Sequence, residues 1–143
     1  MQAEKGTRVA GYLIDLIPAI FLSLFGFIPI LGFMIAGLLL APYWLLRDIT
    51  GASLGKRLLG VRVTFKDGTP ASLGARVIRN LPLAVGPCLM IIPLLGYVIG
   101  PPTTGLIILA EAVLLLAQGE RIGDRLAGTT VSKKESAALS AVA

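Results

Sequence analysis

The sequence has no histidine and a single cysteine, Cys88. Without an imidazole the chain lacks the usual neutral-pH general base and the commonest nitrogen ligand for metals. With one thiol it can form neither an intrachain disulfide nor a cysteine-rich metal site. Cys88 stands in Pro87-Cys88-Leu89-Met90, an apolar setting that predicts a buried, unreactive thiol. Zinc hydrolysis, catalytic triads and thiol redox chemistry are all disfavoured, so the chain reads as a non-enzyme without a cofactor. Charge is also scarce: 15% of the 143 residues are charged, against about 25% in ordinary globular proteins. Hydrophobic residues make up 55% and the mean hydropathy is +0.85. So short a chain has too little interior to hide that much apolar surface, and lipid is the expected solvent. A disordered chain, a coiled coil and a typical soluble enzyme are excluded.

Two long blocks are nearly free of charge. Residues 9–46 contain only Asp15, and residues 80–119 only Glu111. Each is about twice the ~20 residues that one helix needs to cross the hydrocarbon, and each has a break near its middle. The first break is Gly26-Phe27-Ile28-Pro29 with Gly32 following; the second is Gly100-Pro101-Pro102. Proline and glycine placed so end helices and make returns. The expected architecture is an all-α integral membrane protein with four transmembrane helices in two hairpins. The spans fall near 9–27, 29–46, 79–99 and 103–119, within one domain over 1–135. The small uncharged tail, 136–143, should fray. Asp15 inside the first block, and the apolar helix that follows at once, argue against a signal peptide.

Lysine and arginine set the orientation. Two precede the first span, seven lie between the hairpins, four follow the last span, and neither hairpin tip carries any. Both termini and the central segment, residues 47–78, are therefore expected on the cytoplasmic side of a bacterial inner membrane. That segment is patterned. Ser53-Leu54-Gly55-Lys56-Arg57-Leu58-Leu59-Gly60 reads as a short capped helix or turn. Val61, Val63 and Phe65 alternate with polar residues in a strand-like period of two. Lys66-Asp67-Gly68-Thr69-Pro70 supplies a turn, and Ser72 is placed to cap a helix. Its basic side chains, among them Lys56, Arg57, Arg62 and Arg76, suit anionic lipid headgroups, although positive-inside charge alone also accounts for them. The same topology explains the basic pI without nucleic acid.

Charges at membrane depth need partners. Asp15 lies two helical turns beyond Arg8 on the same face, with Gly11 between them and Ala19 after, so a neighbouring helix can approach closely. Arg8 is expected to lean away toward the headgroups, leaving Asp15 to a polar group from another span, a proton or a bound monovalent cation. Pro18 removes the donor to the Ile14 carbonyl, adding an oxygen of the kind hard cations prefer. Glu111 shares a polar stripe with Thr104 and Gln118; it is either a proton-exchanging carboxyl or a helix–helix contact. Arg47-Asp48 and Asp124-Arg125 stand at span ends, where adjacent opposite charges are usually solvated. Gly96-Tyr97-Val98-Ile99-Gly100 matches a small-residue packing motif, and Tyr43, Trp44 and Tyr97 sit where interfacial aromatic anchors are expected.

These pieces resemble the RDD family of small bacterial membrane proteins, named for one arginine and two aspartates. The matching segments run from Arg8 to Asp15, from Gly51 to Val63, Asp67-Gly68 followed by Arg79, and Gly123-Asp124-Arg125-Leu126-Ala127-Gly128-Thr129-Thr130-Val131. By this resemblance Arg8 and Asp15 are the arginine and first aspartate, and Asp124 the second, with Asp48 the alternative. Many members carry a histidine just before the second aspartate; here Gly123 stands there. The family is described as transport-associated, and cation/proton antiport is the most concrete activity attached to any member. The resemblance therefore implies Na⁺, Li⁺ or K⁺ exchange for protons. Asp15 and Asp124 would be exchanging carboxylates and Arg8, Asp48, Arg79 and Thr129 the support; Glu111 lies outside the family motif, and its place as a further exchanging carboxylate rests on this sequence alone. A homo-oligomer is expected, since four short spans leave little room for a path. The alternative is a non-transporting accessory or scaffold protein whose basic segment binds anionic lipid or a partner.

Overall fold

The computed structural model describes residues 3–28 and 31–133. The chain runs α1 (Lys5–Ser23), a 3₁₀ turn (Leu24–Phe27), α2 (Gly32–Leu46), α3 (Leu54–Leu58), β1 (Val61–Phe65), α4 (Leu73–Ile78), α5 (Leu81–Met90), α6 (Leu95–Gln118), α7 (Ile122–Leu126) and β2 (Thr129–Lys133). It is mostly helical, but the all-α expectation needs correcting, because β1 and β2 pair antiparallel with Val63 opposite Val131. The alternation at 61–65 marked the first strand. Its partner, Thr-Thr-Val-Ser-Lys, is β-branched but lies at the far end of the chain.

Among the described residues, two helices are long and apolar enough to cross a membrane: α1 with its 3₁₀ turn, 23 residues, and α6, 24 residues. Each spans about 35 Å at 1.5 Å per residue, against a hydrocarbon core of ~30 Å. The other two apolar helices are shorter, 15 residues in α2 and 10 in α5. The second reversal is therefore not at Gly100-Pro101-Pro102, which lies inside α6. It falls at Ile91–Leu94. There Pro93 cannot donate back to the preceding turn, and Leu94 takes a left-handed conformation (φ 62°). Gly96 and Gly100 do serve close packing, but within this hairpin: a Cβ on either would stand under 3 Å from Leu89 or Met90. Helix α6 stops at Gln118 because Gly119 turns left-handed (φ 73°), a common helix end.

The core of the helical layer gathers Tyr12, Ala19, Ala36, Leu40, Trp44, Leu83, Ala84, Met90 and Leu115. Trp44 is thus a core residue and not an interfacial anchor. Cys88, expected buried, is exposed; it falls off the face of α5 that carries Leu83, Ala84, Pro87 and Met90. The outward faces of α1 and α6 expose Leu13, Ile17, Ile20, Leu106, Leu109, Val113 and Leu116. That is more contiguous apolar surface than soluble monomers show.

The segment between the hairpins folds into a small cap. Ser72 caps α4 by accepting from the Ala75 amide (3.2 Å), as its position predicted. Asp67 accepts from the Thr69 amide and hydroxyl (2.8 and 2.7 Å), closing the expected turn. Helix α3 lies directly on α1: an added Cβ at Gly55 would stand 2.2 Å from the Gly11 carbonyl oxygen. The approach foreseen at Gly11 is made by this short helix, which brings the 53–56 segment onto Asp15. The expected tail at 136–143 and Pro29 of the first turn lie outside the described residues.

Candidate functional site

Where α1, α2, α6 and the cap meet, four carboxylates and five cations are buried together. They are Asp15, Asp48, Glu111 and Asp124 with Arg8, Arg47, Lys56, Arg79 and Arg121, each side chain under 10% exposed. Burial in low dielectric makes every such charge costly unless paired. The pairing is nearly complete and falls into two halves.

The first half centres on Asp15. One carboxylate oxygen accepts from the Ser53 hydroxyl (2.5 Å) and the other from the Gly55 amide (2.9 Å). Arg47 Nη1 stands 3.5 Å away and Lys56 Nζ 3.6 Å. The Ser53 hydroxyl, expected to cap α3, is diverted to this carboxylate. Lys56 Nζ donates to Asp48 (2.8 Å) and to Ser53 Oγ (2.9 Å), so its ammonium sits among oxygens from Asp15, Asp48 and Ser53. Asn80 donates to the other Asp48 oxygen (3.2 Å). Arg47 stacks over the Trp44 ring, 4.7 Å from its centroid. Arg47 and Asp48 are therefore not a solvated surface pair; each is drawn inward by a different partner.

The second half centres on Asp124. Arg8 donates to it at 2.9 Å, and Arg79 and Arg121 lie 2.5 and 3.3 Å away. Arg8 thus turns to the far end of the chain and not toward headgroups. Asp124 also accepts from the Arg121 amide (3.4 Å) at the start of α7. Glu111 accepts from the Gly123 amide (3.2 Å) and lies 3.6 Å from Arg121 Nε. Its supposed stripe divides: Thr104 bonds back to Gly100 and Gln118 meets Arg125. Arg79 joins the halves, within ion-pair distance of Asp124 and, at 3.8 Å, of Asp48. A cavity of about 20 Å³ beside Arg8, Asp15, Arg47, Lys56, Arg79 and Asp124 has room for about one water.

The charges tune one another. Burial alone would raise the Asp124 carboxyl, but Arg79, Arg121 and Arg8 outweigh it and hold the group well below the usual range. Asp48 behaves alike, with Lys56 and Arg79 overriding burial. For Lys56 burial wins over the pull of Asp48 and brings the ammonium down to about 8. The unfolded chain keeps this proton up to its ordinary value of 10.5. Between those values unfolding therefore takes up a proton, and stability rises with pH. We expect a gain of up to about 3 kcal/mol between pH 8 and 10.5, read from thermal unfolding, and its loss in Lys56→Met.

Of the residues singled out in the sequence, Arg8, Asp15, Asp48, Lys56, Arg79, Glu111 and Asp124 converge here. Thr129 does not: it is buried in β2 and its hydroxyl makes no hydrogen bond. Arg57, Arg62 and Arg76 lie apart, around a separate pocket. Arg47, Ser53, Asn80, Arg121 and the Gly55 and Gly123 amides were missed as site components. The available signal was the need of Asp15 and Glu111 for partners, with arginine standing at the end of each span.

A helical chain with two membrane-length helices and a buried network of ionised side chains is, by class, a membrane-type protein. This one belongs to the RDD family, whose family model matches residues 3–128. No curated protein and no solved structure matches the chain. The arginine and second aspartate of the family resemblance, Arg8 and Asp124, are bonded directly, while Asp15 anchors the other half. Thr129 lies one residue past the matched region.

Proposed function

We propose that the chain is a multi-pass transport protein of the bacterial inner membrane that exchanges a monovalent cation for protons, working as a homo-oligomer with both termini and the cap cytoplasmic. The observation that carries this is the Lys56 ammonium, held by oxygens of Asp48 (2.8 Å), Ser53 (2.9 Å) and Asp15 (3.6 Å). An ammonium is a tethered monovalent cation, and hard oxygens arranged around it are the ligand type that alkali-metal cations take. Because the cluster carries five cations against four carboxylates, an incoming ion must displace a resident positive charge and cannot simply add to it. Loss of the Lys56 proton would free the oxygens of Asp48, Ser53 and Asp15 for a metal cation, so that proton and cation compete for one place, which is the requirement for exchange. The distribution of lysine and arginine supports the orientation.

One observation favours the second reading, a non-transporting accessory protein. Asp124 is held by three arginines, none of which can lose its charge, and this half of the network acts as a fixed fastening. The test is dissipation of a pH gradient in proteoliposomes holding only this chain, on adding Na⁺, K⁺ or Li⁺. Cation-dependent proton movement that disappears in folded Asp15→Asn and Lys56→Met supports exchange. Silence from pH 6 to 9 with verified reconstitution supports the fastening.

A further inference from the structure

The cap carries a second basic site, separate from the buried network and built on different principles. Arg57 of α3, Arg62 of β1 and Arg76 of α4 line a pocket of about 440 Å³ with Thr50, Gly51 and Gly60, and no acidic residue lines it among the described residues. None of these arginines forms an ion pair among the described residues, whereas Lys66 and Arg125, also on the cap side, both meet Glu120 (3.3 and 3.7 Å). Two are held in place by neutral groups. Arg57 donates to the Thr50 hydroxyl and to the Ala52 carbonyl (3.2 Å), and Arg76 to the Ile49 carbonyl (3.0 Å). The Nε donors of Arg62 and Arg76 are buried and make no hydrogen bond among the described residues. Three guanidinium groups without a counter-charge, two of them held in place, in a cleft of ligand size, amount to an unneutralised +3 with spare donors. Guanidinium forks bind phosphate oxygens bidentately, and several of them around one pocket suit an anion with oxygens on every side.

We propose that Arg57, Arg62 and Arg76 form an anion site for a phosphate group, supplied by an anionic phospholipid headgroup or by a free phosphate. Leu54 and Leu58, on the helix of Arg57, and Leu73 and Ile78, on the helix of Arg76, are exposed. Apolar side chains beside cations are what a headgroup layer accommodates, so the lipid source is the one the surroundings favour.

The test uses the purified full chain in nonionic detergent. Dioctanoyl phosphatidylglycerol, dioctanoyl phosphatidylcholine and inorganic phosphate are titrated by calorimetry, with native mass spectrometry counting bound molecules. One phosphatidylglycerol or one phosphate should bind saturably, about tenfold more weakly in Arg62→Gln and in Arg76→Gln, and unchanged in Lys66→Gln. Phosphatidylglycerol that inorganic phosphate cannot displace assigns the lipid source; phosphate that binds equally well alone assigns the free anion. Equal binding of phosphatidylcholine, or wild-type affinity in the folded double glutamine variant, overturns the site. Should a glutamine variant fail to fold, Arg62→Lys keeps the charge and loses the fork; undiminished binding there likewise overturns it.

Discussion

Asp124→Asn is expected to destabilise the purified protein by about 3–5 kcal/mol, the usual cost of leaving buried charges without their partner. The substitution is nearly isosteric, so packing is kept and only charge is lost. Three guanidinium groups, those of Arg8, Arg79 and Arg121, then face one another within ion-pair reach of a neutral amide. The fluorescence of Trp44, the single tryptophan and fully buried, reports unfolding directly. An Asp67→Asn control, in the exposed turn, should change nothing. The acid limb offers an independent check. Because the folded Asp124 carboxyl sits below its unfolded value of about 3.9, its contribution is complete above that pH and is lost as pH falls toward the folded value. This limb should flatten in the variant. If Asp124→Asn melts within about 0.5 kcal/mol of wild type, the range of a neutral surface change, the network is not holding the fold.

Gly123→Ala is expected to be nearly as damaging although it removes no charge. A Cβ there would stand 1.7 Å from the Arg79 carbonyl oxygen, so backbone must move against backbone. Overpacking of side chains costs about 1–3 kcal/mol, and a rigid backbone obstacle puts this position at or above the upper end. The displacement also pulls the Gly123 amide from Glu111 and shifts Asp124, the next residue, among its arginines. Melting of Gly123→Ala and Asp124→Asn separately and together should therefore be less than additive, as for neighbours in one network. Full additivity would mean that Gly123 acts on something other than the ion cluster.

Much of this arrangement was legible before any coordinates. The alternation at Val61–Phe65, the Asp67–Thr69 turn and the Ser72 cap are local signals, and each appears where its residues placed it. The requirement that Asp15 find partners elsewhere was also readable, because an isolated carboxylate at that depth is too costly. What escaped were long-range choices. Arg8 has an equally good local alternative in headgroups, and only the return of α7 decides for Asp124. The Arg47-Asp48 pair reads as solvated until Trp44, Lys56 and Arg79 enclose it. Gly100-Pro101-Pro102 is the stronger local breaker, yet the tight seating of Gly96 and Gly100 on Met90 keeps those residues in α6 and moves the reversal to Pro93-Leu94.

The division of the ion network into two halves has a consequence for biosynthesis. Asp15, Arg47, Asp48 and Lys56 form a set balanced in charge and are complete once the chain has grown a little past residue 56. Helices α1 to α3 can therefore settle against one another while the rest is still being made. Arg8 has no such early partner: Asp124 follows 116 residues later. Since domains form in the order the ribosome releases them, Arg8 waits as an uncompensated charge until the last helix arrives, while Arg79 has only its longer pair with Asp48 (3.8 Å). Strand β2 then closes onto β1 and the Ala3 amide bonds to Val131 (3.0 Å), so the C-terminal region both neutralises the N-terminal one and ties it down. A nascent chain stopped after α6 would leave two charges without any partner, Arg8 and Glu111, whose counterparts Asp124, Arg121 and the Gly123 amide all come later.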